Sequence, residues 1–158
     1  MTLVWTRIDQ KLIHGQVSVA WVPHLEAEAI VVVDHNTMED LWAQKVMMMG
    51  LPPEVRLTRF TCPAQLGDVL AEEEMSSKRV MVIFKDLPGF LESVESGSRF
   101  DRLNLGNQAP EGSGCCIGLT DAFYASQPDL EALELLRRQG LEVTIQAVPS
   151  SKAVKWKP

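Results

Sequence analysis

The sequence is poor in cysteine, contains no long apolar run and has fewer basic than acidic residues. Its three cysteines are a lone Cys62 and the adjacent pair Cys115 and Cys116, a spacing that suits neither a disulfide framework nor a metal site. We expect all three to be packing residues. No stretch approaches the roughly 18 consecutive apolar residues that a membrane-spanning helix needs. The formal net charge of −6 argues against nonspecific nucleic-acid binding, which requires a basic face.

The chain is expected to form one domain over residues 1–158. At 158 residues, with 46% hydrophobic and 23% charged residues, it is long enough to bury a core without disulfides. Its N-terminus lacks the basic-then-apolar layout of a signal peptide, which favours a cytoplasmic location. The final segment, 150–158, is polar, and we expect it to be a loose tail.

Two apolar runs, Ala29–Val33 and Val80–Phe84, are typical of strands covered on both faces, and therefore of a parallel sheet. Strand-like and helix-like segments alternate from Leu3–Ile8 to Leu141–Val148. The stretch from 104 to 119 shows no helical pattern, which favours an antiparallel strand pair toward the C-terminal half. The sequence therefore predicts an α/β fold: a single-domain, open twisted, mainly parallel sheet flanked by helices on both faces.

Several local features follow from individual residues. The first helix should begin near His14 and stop at Pro23, because proline disrupts a helix interior. Thr37 and Asp40 resemble a capping box after a loop over residues 34–37. We expect core positions for the tryptophans at 5, 21 and 42 and the methionines at 47, 48 and 49, although some of them could instead form a docking patch.

The most informative stretch is Arg7–Val17, which joins the first predicted strand to the first predicted helix. It carries two cations, one carboxylate, an amide and one imidazole. A loop that follows a strand lies at the carboxyl edge of the sheet, where open α/β sheets bind ligands. The helix that begins there offers unpaired backbone N–H groups, so the loop suits an anion.

His14 is the residue of this loop best suited to attack a phosphoryl group, because neutral imidazole is abundant near pH 7. Arg7 and Lys11 could neutralise the phosphoryl oxygens. Asp9 could orient Arg7 or hold the tautomer of the imidazole. Two further residues are expected to contact phosphate, Gly15 by leaving room for the backbone and Gln16 by donating a hydrogen bond.

Other strand ends are expected to reach the same edge. Asp34 and His35 follow the second predicted strand, and Lys85 follows the strand that ends at Phe84, so these three residues could line a shared pocket. For His35, a solvated position outside the pocket is an equally good interpretation, and for Lys85 it is the favoured one. The glycine-rich stretch Gly106–Gly118 lacks the lysine of a phosphate-binding loop, and we expect it to be structural.

The run Arg7–Val17 resembles the R-[IV]-D-[DQ]-R-L-[IL]-H-G-Q-V signature of the IIB components of the bacterial sugar phosphotransferase system (PTS), mannose/fructose/sorbose type. The resemblance continues through Val31-Val32-Val33-Asp34, Pro52-Pro53, Phe84-Lys85 and Asn104-Leu105-Gly106-Asn107. It implies an open twisted sheet flanked by helices, in agreement with the pattern of the sequence. Lys11 stands where the family usually has arginine, which binds phosphate with a planar fork where lysine acts as a point charge.

The resemblance also implies a reaction cycle. A phosphorylated IIA partner would transfer its phosphoryl group to Nδ1 of His14, which would pass it to a sugar held by membrane IIC and IID subunits. The chain would then be a protein-Npi-phosphohistidine–sugar phosphotransferase, peripherally associated with the transporter, that needs neither metal nor cofactor. Two alternatives stay open: a regulatory phosphocarrier without sugar transport, and an α/β module that binds a nucleotide or phosphometabolite noncovalently.

Overall fold

The computed structural model of the protein describes residues 1–110 and 116–158. A seven-stranded sheet forms its centre, with the strand order β3-β2-β4-β1-β5-β8-β9. The strands are β1 Thr2–Asp9, β2 Ala29–Val33, β3 Leu57–Thr61, β4 Arg79–Phe84, β5 Arg102–Asn107, β6 Cys116–Thr120, β7 Phe123–Ser126, β8 Glu142–Ile145 and β9 Val154–Lys155. All neighbours in the large sheet pair in parallel except β9, which runs antiparallel to β8. The strands β6 and β7 form a separate antiparallel pair.

Helices cover both faces of the sheet. They are a π-helical segment Gln16–Trp21, α1 Val22–Leu25, α2 His35–Glu39, α3 Leu41–Met49, α4 Leu66–Leu70, α5 Leu87–Glu95 and α6 Gln127–Arg138, with 3-10 turns at Pro63–Gln65 and Glu73–Met75. One core cluster packs the π-helical segment and α1 against the sheet, with α3 at its margin. The other packs α4, α5 and α6 against the opposite face. The predicted fold class, including an antiparallel strand pair in the C-terminal half, is therefore confirmed.

The two apolar runs form the buried centre of the sheet. Every residue of β2 is buried, and so is every residue of β4 except Arg79. Ile8 on β1 and Val33 on β2 both pair with Phe84 on β4. Since the carboxyl ends of these strands are in register, residues 9, 34 and 85 follow at one edge of the sheet.

Several local predictions need correction. Pro23 does not end the first helix, because it lies in the first turn of α1, where its missing N–H is tolerated. Thr37 is not a cap but lies inside α2: the side chain of Asp34 caps that helix by accepting the Thr37 N–H, and Asp40 caps α3.

The expected core positions of Trp42 and Met49 were also wrong. Trp42 and Met49 are 76% and 85% exposed on α3, so the tryptophans and methionines do not all lie in the core. At the other end of the chain, Trp156 is only 6% exposed and its backbone N–H donates to Val143 O. The segment 150–158 is therefore not a loose tail throughout, because β9 pairs with β8 and Trp156 anchors it.

Part of the glycine-rich stretch, residues 111–115, lies outside the described residues, and so does Cys115. Gly106 belongs to β5 and Gly118 to β6. Cys62 and Cys116 are half-buried. Within residues 1–110 and 116–158, none of the helices is both long and apolar enough to cross a membrane.

Candidate functional site

A tight turn at the end of β1 brings His14 back onto the strand. The N–H of Leu12 donates to the carbonyl of Asp9, and Leu12 adopts a left-handed conformation with φ of 54°. Such a backbone costs a leucine roughly 1–3 kcal/mol, and it persists where the surroundings fix it. Here the Leu12 side chain is buried in the core cluster that includes Trp21. The turn thus directs the His14 ring toward Asp9.

Asp9 is the centre of the site. Its carboxylate is fully buried, and Oδ2 accepts hydrogen bonds from Nε and Nη2 of Arg7, at 3.1 and 3.0 Å, and from Nε2 of His14 at 2.8 Å. The backbone N–H of Lys11 donates to Oδ1 at 3.1 Å. Burial alone would raise the pKa of Asp9, but the hydrogen bond from His14 and the charge of Arg7 outweigh it, so its pKa lies below the usual value. Asp9 is therefore ionised at neutral pH.

Arg7 lies beneath Asp9 and is itself fully buried. Besides its two bonds to Asp9, Nη1 donates to Asn104 Oδ1 at 2.5 Å and to Gln146 O at 2.9 Å, and Nη2 donates to Ala147 O at 3.2 Å. All five guanidinium N–H groups are thus used within the protein. The prediction that Arg7 neutralises phosphate by direct contact therefore needs correction: Arg7 holds Asp9, and Asp9 holds His14.

Residues distant in sequence fix the guanidinium. The Trp21 ring centroid lies 5.4 Å from Arg7 Cζ, and the Trp21 indole N–H donates to Ala147 O at 3.0 Å, the carbonyl that also accepts from Arg7. A Cβ at Gly106 would meet the Arg7 guanidinium at less than 3.0 Å, so only glycine fits there. The sequence interpretation missed these roles. A glycine inside the strand-like stretch 102–107 was the available signal, because it marks a close approach to the strand.

Three polar or small residues of the loop face outward, namely Lys11, Gly15 and Gln16. Lys11 is exposed, and its ammonium group makes no hydrogen bond or ion pair within the described ranges. Gly15 has an ordinary helical backbone, with φ of −52°, and a Cβ added there would meet no atom within 4 Å. Gly15 and Gln16 precede the first helical hydrogen bonds, so their backbone N–H groups have no acceptor in the helix.

Two of the three possible pocket residues, Asp34 and His35, make their contacts away from His14. The Asp34 carboxylate is occupied with the N–H and hydroxyl of Thr37, and His35 pairs with Glu92 at 3.0 Å on the surface. Lys85 follows β4, next to Asp9 across the sheet edge, and is half-buried. The structure thus brings together Arg7, Asp9 and His14, with Lys11 beside them. Among the described residues, no cluster of histidine, cysteine, aspartate or glutamate could hold a metal ion.

This geometry prepares His14 as a nucleophile. The ionised Asp9 faces Nε2, which fixes the tautomer that carries its proton on Nε2. The lone pair is then on Nδ1. The His14 side chain is 21% exposed, whereas Asp9 beneath it is fully buried. The arrangement can therefore take a covalent group on Nδ1 while Asp9 stabilises the positive charge that develops on the ring.

Comparison with known proteins identifies close counterparts of the whole chain. The family described as "PTS system sorbose subfamily IIB component" matches residues 3–158. The N-acetylgalactosamine-specific phosphotransferase enzyme IIB component 2 of Escherichia coli is 29% identical over 96% of this chain and 94% of its own. The mannose-specific EIIAB component of the same organism is 25% identical, and the match covers 98% of this chain but only 47% of that protein.

Solved structures show the same fold. The IIBSor domain of the sorbose permease from Klebsiella pneumoniae aligns with a TM-score of 0.85 at 23% identity, over 98% of this chain and 93% of that one. The N-acetylgalactosamine-specific IIB component 1 from E. coli aligns with a TM-score of 0.85 at 26% identity, over 99% of this chain and 100% of that one.

Proposed function

The chain belongs to the sorbose subfamily of PTS IIB components, proteins of phosphotransfer in sugar transport, and we propose that it carries the phosphoryl group on His14. One observation carries this proposal. His14 Nε2 lies 2.8 Å from a buried, ionised Asp9, which in turn is held by a buried Arg7. This arrangement leaves Nδ1 as the nucleophilic nitrogen.

In the proposed reaction, the Nδ1 lone pair of His14 attacks the phosphorus of a phosphohistidine on a IIA partner. The new P–N bond forms as the partner's P–N bond breaks, and the electrons of that bond return to the partner's imidazole. The proton on Nε2 stays in place, hydrogen-bonded to Asp9. In the second step a sugar hydroxyl attacks the same phosphorus, the P–N bond to His14 breaks, and the hydroxyl proton is released.

The charge around the phosphoryl group comes from groups that face solvent. Lys11 supplies an ammonium, and the N–H groups of Gly15 and Gln16 at the start of the helical segment complete an anion site. Lys85, at the neighbouring strand end, is a further cation at the same edge. Asp34 and His35 are left out of the proposed site, because their contacts lie within α2 and with α5.

Partners follow from the same proposal. The mannose-specific relative is an EIIAB component, and this chain corresponds to about half of it, which supports a IIA protein as phosphoryl donor. We propose membrane IIC and IID subunits as the sugar-holding acceptors, with the chain bound peripherally to them on the cytoplasmic side.

The direct test is transfer from a purified, phosphorylated IIA protein to this chain. We expect one phosphate per chain, and NMR of the ring nitrogens should place it on Nδ1 of His14. A chain that stays unlabelled, or that is labelled on another residue, would contradict the proposed function.

Changing the charge of Lys11 should change the rate of transfer. Lys11→Arg retains the cation and should transfer within about threefold of the parent, whereas Lys11→Glu repels the incoming phosphoryl group and should slow acceptance roughly 100-fold. Both rates come from rapid-quench measurement of the labelled chain. Lys78 is a half-buried lysine before β4, at the opposite edge of the sheet, so Lys78→Glu is the matched control and should leave the rate unchanged. Normal transfer by Lys11→Glu would remove Lys11 from the site.

Substituting Gly15 with alanine should change the rate of phosphoryl acceptance without lowering the free energy of unfolding. A Cβ at Gly15 meets nothing in the protein, so Gly15→Ala should keep or slightly raise the free energy of unfolding, by up to about 1 kcal/mol. The same methyl group would lie beside the phosphoryl group and slow acceptance about tenfold or more. Gly67 in α4 is also open to a Cβ, so Gly67→Ala should share the stability effect without the loss of rate. Equal rates for both variants would contradict phosphate contact at Gly15.

A further inference from the structure

Asn104 is a polar residue in the middle of the sheet that the fold alone does not explain. It is 1% exposed and lies opposite Arg7 in the register between β1 and β5. Its Oδ1 accepts from Arg7 Nη1 at 2.5 Å, but its Nδ2 has no hydrogen-bond partner within the described residues. A buried donor without an acceptor destabilises a fold. What Asn104 contributes at this position is therefore its oxygen, which accepts from the buried Arg7.

The difference between an amide and a carboxylate at this position is its charge. An aspartate would bind the Arg7 guanidinium more strongly than asparagine does, because hydrogen bonds between charged groups are stronger. Arg7 and Asp9 form a buried pair without net charge, and Asp9 contacts His14 directly. A second carboxylate on Arg7 would make this buried cluster negative, and the negative charge would favour the protonated imidazolium of His14. Asn104 supplies the oxygen without that charge.

The surroundings of His14 contain few charges that could offset such a change. The second half of β5 and the residues that follow β8 bring only uncharged groups, which are Asn104, Asn107 and the carbonyls of Gln146 and Ala147. The π-helical segment contains no charged residue. Among the described residues, the charged groups at this sheet edge are Arg7 and Asp9 on β1, Lys11 in the turn, Lys85 and Asp86 after β4 and Asp34 after β2.

We propose that Asn104 is a positioning residue whose uncharged amide holds Arg7 against Asp9 without adding a negative charge to the buried cluster that contacts His14. It acts through Arg7 and Asp9 and does not touch the reacting atoms. The inference rests on the proposed function of His14 for its consequence in transfer. Its effect on the ionisation of His14 can be measured without any phosphoryl donor.

The main test is an NMR titration of the His14 ring in the whole chain with Asn104→Asp. The resonance is assigned by its absence in His14→Ala. We expect the titration midpoint of His14 to move upward by about one pH unit. Phosphoryl acceptance should rise with pH along a curve displaced by the same one unit, with a loss of at most about tenfold at pH 7. A folded Asn104→Asp protein with an unmoved midpoint would overturn the proposal.

A second variant tests positioning separately from charge. Asn104→Ala adds no charge but leaves one guanidinium N–H without its acceptor, so acceptance should fall about tenfold with the His14 midpoint in place. If Asn104→Ala accepts the phosphoryl group as fast as the parent, the positioning role is overturned. This test holds even where Asn104→Asp does not fold. Ser93→Ala is the control, because the Ser93 hydroxyl is another buried group without a partner, on α5 across the sheet, and neither quantity should change. If the His14 midpoint shifts in Asn104→Asp but the parent accepts no phosphate, the proposed function is contradicted and the inference about Asn104 is not.

Discussion

Replacing His14 with alanine is expected to abolish phosphoryl acceptance while leaving the fold intact. The reaction needs the Nδ1 lone pair, and alanine offers no nucleophile in its place. The fold should tolerate the change, because the His14 side chain is partly exposed and its ring makes one hydrogen bond, to Asp9. Asp9 keeps its bonds from Arg7 and from the Lys11 N–H in the variant. The measurement is the amount of acid-labile, base-stable phosphate per chain after incubation with phosphorylated IIA, alongside thermal unfolding.

The chain carries its own matched controls, since it has three histidines in total. His35 pairs with Glu92 on the surface, and its side chain is 61% exposed. His24 lies in the last turn of α1 and makes an edge-to-face contact with Trp21, with ring centroids 6.1 Å apart. His24→Ala and His35→Ala should each take one phosphate per chain, as the parent does. Substantial labelling of His14→Ala at either of these histidines would reject His14 as the acceptor.

Much of the fold could be predicted because it depends on which residue types follow one another over short stretches of the sequence. A continuous β-branched run such as Ala29–Val33 allows few alternatives to a strand covered on both faces, and the structure buries all of it. Trp42 was mispredicted for a related reason. The aromatic side chain of Trp42 alone predicts burial. Whether another element covers that face of α3 depends on how distant segments pack. Trp156 shows the converse, since one buried ring fixes a segment that is otherwise polar.

One part of the candidate site could likewise be predicted from the sequence and another could not. The local loop could be predicted, because Asp9 and His14 are separated by a single turn and their contact needs only that turn. The position of Arg7 could not, because its partners Asn104 and Gln146 are 97 and 139 residues away along the chain. An arginine on a strand next to an anion site is as consistent with solvent exposure as with burial. Only the assembled sheet, with Gly106 and Trp21 against the guanidinium, distinguishes the two.

The second large effect is expected for Asp9→Asn, which removes the negative partner of a fully buried guanidinium. Both carboxylate oxygens of Asp9 accept hydrogen bonds, whereas an amide offers one oxygen and would turn an NH₂ group toward N–H donors. Breaking one side of a buried ion pair in this way costs about 3–5 kcal/mol. Urea unfolding at pH 7 should show this loss in the free energy of unfolding. Transfer should fall as well, because nothing then fixes the proton on Nε2 of His14.

The control for Asp9→Asn is Glu134→Gln on α6. Glu134 also pairs with two cations, Arg137 at 2.6 Å and Arg138 at 2.9 Å, but those arginines are exposed, so water can replace the carboxylate and the stability should change little. The effect of Asp9→Asn should also depend on pH. The pKa of Asp9 is lowered in the folded state, so its contribution is fully present above its unfolded value, about 3.9, and is lost as pH falls through the folded pKa. The difference in unfolding free energy between parent and Asp9→Asn should therefore be constant from pH 7 to 5 and shrink below about pH 4. A difference that grows in acid would contradict the assignment of Asp9 as the ionised partner of Arg7.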